Sequence, residues 1–228
     1  MKACFVIIVL LLITFSFIPH LPNSLVIIQI STVLGFAYFI LSSAGSIIEK
    51  TERLSVELLL SKPFTRRDII FADFLGTVTA VSFLTLLFSI GSWLIFGFRQ
   101  NEWDATLLAL SLSMIIGFSS LYSFIILTGI LTRNAALVIL FWVGYVYFGA
   151  LLLETRSDFI YNKLSGIYYR VIFDTLYYGL PQVLSICKTF SRLRFGAFSD
   201  FSPIMFSLIS GAAALTASVL IFNHRDLD

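Results

Sequence analysis

Between Asp73 and Arg99 the chain carries no charged side chain, and the same is true from Ala105 to Thr132, from Ala135 to Leu153 and from Phe201 to Asn223. Each stretch matches or exceeds the 17–25 or so apolar residues that carry a helix across a bilayer. Between Lys2 and Glu49 there is a fifth, longer one, divided by the sequence IPHLP, whose prolines stop a helix and turn the chain. Lipid leaves a backbone few options, because every N–H and C=O must be satisfied within the protein, so runs of this kind fold as helices. Composition agrees. The residues are 58% hydrophobic and 12% charged, where a soluble domain has about 45–50% and 25%.

The expectation is an all-α, polytopic membrane protein of one domain, 1–228. Six transmembrane helices fall near 3–19, 24–48, 70–98, 105–131, 135–153 and 203–222. The opening run resembles a signal peptide, but no small-x-small site follows it, so it reads as a retained anchor. Lys50, Arg53, Lys62, Arg66 and Arg67 follow the second span, and Lys2, Arg133 and Arg225 fall on the same side, against Arg99 in the short loops opposite. The excess of Lys and Arg marks the cytoplasmic face, which places both termini inside.

The segment 154–202 is then an outer one. Asn162, Gly166, Arg170 and Asp174 recur every four residues, with Ile160, Leu164, Ile167, Val171 and Leu176 on the opposite face. After the GLP break, Pro181 can start a second helix with Val183, Ile186, Cys187, Phe190 and Leu193 on its apolar side. Charges at Arg170 and Asp174 are costly at mid-membrane, so two amphipathic helices lying at the outer interface are expected. Arg170, Asp174 and Pro181 are candidates for an outer gate, or else for a cap on the bundle.

Chemistry is sparse. His20 and His224 fall on opposite sides of the membrane, and HExxH, GxSxG and GxxxxGK[ST] patterns do not occur. A net charge of +2 without a basic tail gives no reason to expect nucleic acid. Cys4 and Cys187 lie in different settings, so no disulfide is expected. Asp73, a turn inside the third span, reads as a helix-start carboxylate facing water. Ser31 and Gly35, and Ser113 and Gly117, form small-x-x-x-small pairs that suit either a contact between two chains or packing within one bundle. A catalytic, cofactor or metal site is not expected.

Charge collects instead in Glu49–Ile69, EKTERLSVELLLSKPFTRRDI, which holds about a third of all charged side chains. Thr51–Ser61 can form a short helix that Pro63 ends. Thr65-x-x-Asp68 is a capping box for the third span. The loop is either topogenic, with leucines flat on lipid, or a docking helix for a soluble partner.

The run ERLSVELLLSKPFTRRDI resembles the loop after the second span in ABC transporter permeases of the type-two exporter class. Glu52, Glu57, Leu58, Leu59, Leu60, Ser61, Pro63, Arg66, Ile69 and Gly76 match that pattern, and Ser55, Val56, Thr65 and Asp68 are close substitutes. Leu54 stands where Gly is common and Asp73 where Lys is frequent. The ending FNHRDL, six spans and a long outer segment before the last are similar too. The resemblance implies a coupling helix docking on a separate ABC ATPase subunit, with Glu52, Arg53, Glu57, Leu58, Leu59, Leu60, Pro63 and Arg66 at the contact. It also implies ATP and magnesium on that partner rather than on this chain, a second permease copy or homologous permease, surrounding membrane lipids, and a bacterial or archaeal inner membrane. The expected activity is export of an unidentified substrate. The rival is an ATPase-linked scaffold acting on or assembling an extracytoplasmic protein, and a membrane-embedded lipid enzyme ranks below both.

Overall fold

A computed structural model describes residues 39, 40, 43, 65–101, 103, 105–156, 167–192 and 200–224, and the described residues are helical apart from short turns. In chain order the helices are α1 (Arg66–Gln100), α2 (Thr106–Thr132), α3 (Ala135–Gly144), a π-helical turn (Tyr145–Gly149), α4 (Ala150–Glu154), α5 (Ile167–Gly179), α6 (Val183–Arg192) and α7 (Ser202–His224). α3, the π-turn and α4 run on as one span. With α1, α2 and α7 they make four helices long and apolar enough to cross a membrane. The first span and loop 49–64 lie outside the described residues, as does the second span except for Phe39, Ile40 and Ser43, which are helical and buried. The Phe39 ring meets Phe118 of α2 edge-on, with centroids 5.6 Å apart.

Sequence sets the helix ends. At the start of α1 the Thr65 hydroxyl accepts from the Asp68 N–H at 3.3 Å, and the Asp68 carboxylate accepts from the Thr65 N–H at 2.8 Å. This is the expected capping box. At 1.5 Å per residue α1 is roughly 50 Å long, well beyond the ~30 Å of hydrocarbon, so it tilts or projects. α2 ends on Arg133, whose φ of 51° lets its N–H reach the Gly129 carbonyl. Asn134 then caps α3 by accepting from the N–H groups of Ala136 and Leu137, so two residues reverse the chain. Asp200 accepts from both the N–H and hydroxyl of Ser202 at the start of α7. Those bonds hold its carboxyl below the ordinary value, so the cap is complete at neutral pH and is lost only as acid protonates Asp200.

α2 is the central helix and packs on α1, α3, α6 and α7. Phe118, Leu121, Tyr122, Ile125, Ile126 and Ile130 are buried on it, and Val81 and Leu84 of α1 and Val138 and Trp142 of α3 complete the same core. A helix so apolar must place its hydroxyls with care. Ser111, Ser113, Ser119, Ser123, Thr128 and Thr132 each donate to a carbonyl three or four residues back in α2. Ser120 differs: its hydroxyl donates across to the Ser207 carbonyl of α7 at 2.5 Å. The helices can come this close because α7 has glycine one turn on. A Cβ on Gly211 would lie 3.0 Å from Ser120 Oγ and 3.1 Å from its Cα, and backbone cannot step aside.

Gly211→Leu should therefore force α2 and α7 apart and destabilise the fold by about 1–3 kcal/mol, the usual cost of overpacking. Thermal unfolding in detergent should show a clearly lowered midpoint, with a smaller drop for Gly211→Ala. An unchanged midpoint for the leucine variant would contradict this packing.

Candidate functional site

Two polar clusters lie where the apolar helices meet, one near the Thr65 end of α1 and one near the Glu154 end of α4. At the first, Ile70, Asp73, Thr77, Val81 and Leu84 follow helical spacing along α1, and Ile70, Val81 and Leu84 are buried. Asp73, half-buried, thereby lies on the side of α1 that meets α2. Tyr122, fully buried, donates to the Asp73 carboxylate at 2.6 Å and accepts from the Thr77 hydroxyl at 3.1 Å. The rings of Phe74 and Phe118 stack nearly parallel to its ring, with centroids 6.1 and 5.6 Å away. The expectation of a carboxylate facing water is corrected to one that is half-buried and bonded to Tyr122, because Asp73 shares the helical line of Ile70 and Thr77.

The second cluster is built by α5 and α6. Both helices form in the expected segment, but they do not lie flat on the bundle. The turn between them is pinned inside it: Pro181 is fully buried and its carbonyl accepts from the Tyr145 hydroxyl at 2.8 Å. Tyr145 sits midway along the span Ala135–Glu154, roughly 13 Å below Glu154 at helical rise. The Gln182 N–H donates to the Ser207 hydroxyl at 2.8 Å, and its side-chain amide donates to the Tyr177 carbonyl at 3.1 Å. α5 and α6 thus form a hairpin that dips between the spans and returns. Burying the corner is tolerable because its polar groups find partners on three other segments.

Tyr145 can serve the corner because its helix is locally widened. The Ala150 N–H bonds to the Tyr145 carbonyl five residues back, the extra residue of a π-turn. Gly149 opens the space beside the ring, since a Cβ there would lie 2.9 Å from Tyr145 Cδ2.

Higher on the hairpin the polar groups are charged. Arg156, just past α4, pairs with Asp174 of α5 at 2.9 Å and lies 3.5 Å from the centre of the Tyr177 ring. Glu154 accepts from Lys188 of α6 at 3.0 Å and from the Ser185 hydroxyl, which is 2.9 Å from the Tyr177 hydroxyl. A cavity with room for about one water molecule lies among Tyr145, Glu154, Tyr177, Gln182 and Ser185.

Of the expected gate residues, Asp174 and Pro181 enter this cluster, while Arg170 lies a turn earlier on the exposed side of α5. Glu154, Arg156, Tyr177, Ser185 and Lys188 were not singled out from sequence, although charges bracketing the end of a span were a signal. Glu52, Arg53, Glu57, Leu58, Leu59, Leu60 and Pro63 of the expected docking surface lie outside the described residues, and Arg66 is the first residue of α1. Ser113, from one of the small-residue pairs, packs within the chain, its hydroxyl 3.8 Å from Cys187 of α6. Among the described residues no group of His, Cys, Asp and Glu could hold a metal ion.

A bundle of apolar spans with a helical hairpin at one end, buried at its corner and along one side of α6, and capped helices at the other defines a multi-pass membrane protein without a soluble domain among its described residues. Residues 5–227 match the family model described as ABC-2 family transporter protein. The match covers nearly the whole chain, and the protein belongs to that family. Members are membrane transport components that generally work with an ABC ATPase subunit. Neither the curated proteins nor the solved structures include a match.

Tyr122→Phe removes one donor to the Asp73 carboxylate and should cost about 1–3 kcal/mol. Tyr145→Phe loses a bond between neutral groups and should cost about 0.5–1.5 kcal/mol. Unfolding midpoints of the purified variants test that order. If Tyr122→Phe unfolds where the unsubstituted chain does, Asp73 does not rely on that hydroxyl.

Proposed function

We propose that this chain is the permease subunit of an ABC exporter, driven by a separate ATPase subunit that binds the loop 49–69 as a coupling helix. The observation that carries the reading is the family match over residues 5–227, set beside a loop whose sequence resembles that of coupling helices. In this reading Leu58, Leu59 and Leu60 supply contact area. Glu52, Arg53, Glu57 and Arg66 set register, and Pro63 fixes the angle at which the loop meets α1. ATP and magnesium reside on the partner.

The physics supports such a connection. The capping box leaves α1 starting firmly at Arg66, so a push on the loop reaches a stiff helix and not a frayed end. Both termini and the loop then face the cytoplasm of a bacterial or archaeal cell, and the α5–α6 hairpin lies toward the outside. Two permease copies, identical or homologous, would enclose the path, with the hairpin as its outer gate. The unassigned cargo would pass between the copies.

Purification in mild detergent from the native cells, followed by an ATPase assay, tests the partnership. An ATPase should accompany the native chain and be lost from the Leu58→Asp, Leu59→Asp double variant, because a charged face cannot fill an apolar groove. Equal recovery of the ATPase with both chains would show that the leucines do not dock it.

A further inference from the structure

We infer that the charged residues at the end of the third described span form a two-armed latch that holds the α5–α6 hairpin shut. The inference deepens the outer-gate reading above and rests on it. Glu154 and Arg156 leave the same helix end and grip different arms: Arg156 holds α5 through Asp174 and the face of Tyr177, and Glu154 holds α6 through Lys188 and Ser185. The contact between the Tyr177 and Ser185 hydroxyls joins the arms to each other. These residues make a continuous strap across the hairpin, and Glu154, Tyr177 and Ser185 of it also line the cavity.

The surface beneath the strap is one that can part. Above the corner, α6 presents Ser185 and Thr189 to the bundle, both buried, interleaved with Val183 and Ile186. Its link to α2 includes the contact between Ser113 and Cys187. An interface half composed of hydroxyl groups loses less on wetting than the Phe, Ile and Leu contacts of α2 with α1, because water can replace its partners. Closure then leans on the charges. Each pair has one member largely covered and one reaching solvent: the Arg156 and Glu154 side chains are 16% and 19% exposed, Asp174 and Lys188 44% and 56%. Such a pair is weakened by salt or by loss of a single charge, yet is guided back into place by the covered partner.

Cys187 provides a native reporter, since it is half-buried on the side of α6 that meets Ser113 of α2 and the chain has just two cysteines. With Cys4→Ser in every sample, the labelling rate of Cys187 by a membrane-impermeant maleimide measures hairpin opening. Arg156→Gln, which removes an ion pair and a cation–π contact together, should raise the rate about tenfold. Glu154→Gln should raise it less, and the exchange Glu154→Lys with Lys188→Glu should bring it back toward the starting value. Raising salt from about 0.1 M to about 1 M should accelerate labelling of the otherwise unsubstituted chain. That arm serves if a variant fails to fold. Rates indifferent to salt and to both single substitutions overturn the latch, as does faster labelling that the exchanged pair fails to reverse. The assay needs neither ATPase nor cargo, so its failure leaves the permease reading intact, and failure of the ATPase to co-purify leaves the labelling result intact.

Discussion

The hydrogen bond from Ser120 to the Ser207 carbonyl, made possible by Gly211, is the contact on which the arrangement of the other helices depends. In lipid there is no hydrophobic force to drive one apolar helix against another, so close approach and shared polar groups decide which helices pair. α2 turns nearly all its hydroxyls back on its own carbonyls and keeps a few cross-helix bonds. Tyr122 meets Asp73 and Thr77 on α1, Thr128 accepts from the Trp142 indole N–H of α3 at 2.8 Å, and Ser120 meets α7. Each bond points to a different neighbour, so α2 has a fixed rotation relative to all three. Ser207 then offers its own hydroxyl to Gln182, and through it the hairpin corner is referred to the same helix.

The two polar clusters therefore share one helix. Tyr122 of α2 holds Asp73 and Thr77 near the Thr65 end of α1, and half a turn away Ser120 holds Ser207, which accepts from the Gln182 N–H at the bottom of the hairpin. The strap of Glu154 and Arg156 acts at the far side of the hairpin, where its hold can be released without disturbing the corner. On the proposed function, coupling enters at one end of α2 and a gate is freed at the other.

Much of this was legible in the sequence, and the residues show why some was not. Uncharged runs placed spans at 70–98, 105–131, 135–153 and 203–222, close to the helices Arg66–Gln100, Thr106–Thr132, Ala135–Glu154 and Ser202–His224, because the cost of charge in lipid acts residue by residue. Thr65 and Asp68 announced their cap for the same local reason. The periodicity of 154–202 gave two helices and the break between them. It could not give their depth, since that is set by one tyrosine hydroxyl reaching a backbone carbonyl thirty-six residues away, and a carbonyl has no sequence signature. The charges at Arg170 and Asp174 argued for a surface location, and Asp174 does stay high on the hairpin, opposite Arg156, while uncharged Pro181 goes deep. The bond from Tyr122 to Asp73 was not legible, because a carboxylate near a helix start is stable in water or against a buried tyrosine, and its position in the sequence does not tell the two apart.

The most direct test of the account follows Cys187 labelling in membrane vesicles that hold the native complex, with Cys4 replaced, in the presence and absence of ATP and magnesium. If the energy of hydrolysis reaches the hairpin through α1, α2 and α7, nucleotide should change the labelling rate, and Leu58→Asp with Leu59→Asp should abolish that change while leaving the nucleotide-free rate as it was. A rate that is the same with and without nucleotide, in vesicles shown to hydrolyse ATP, would contradict the transmission of movement from the coupling end to the hairpin.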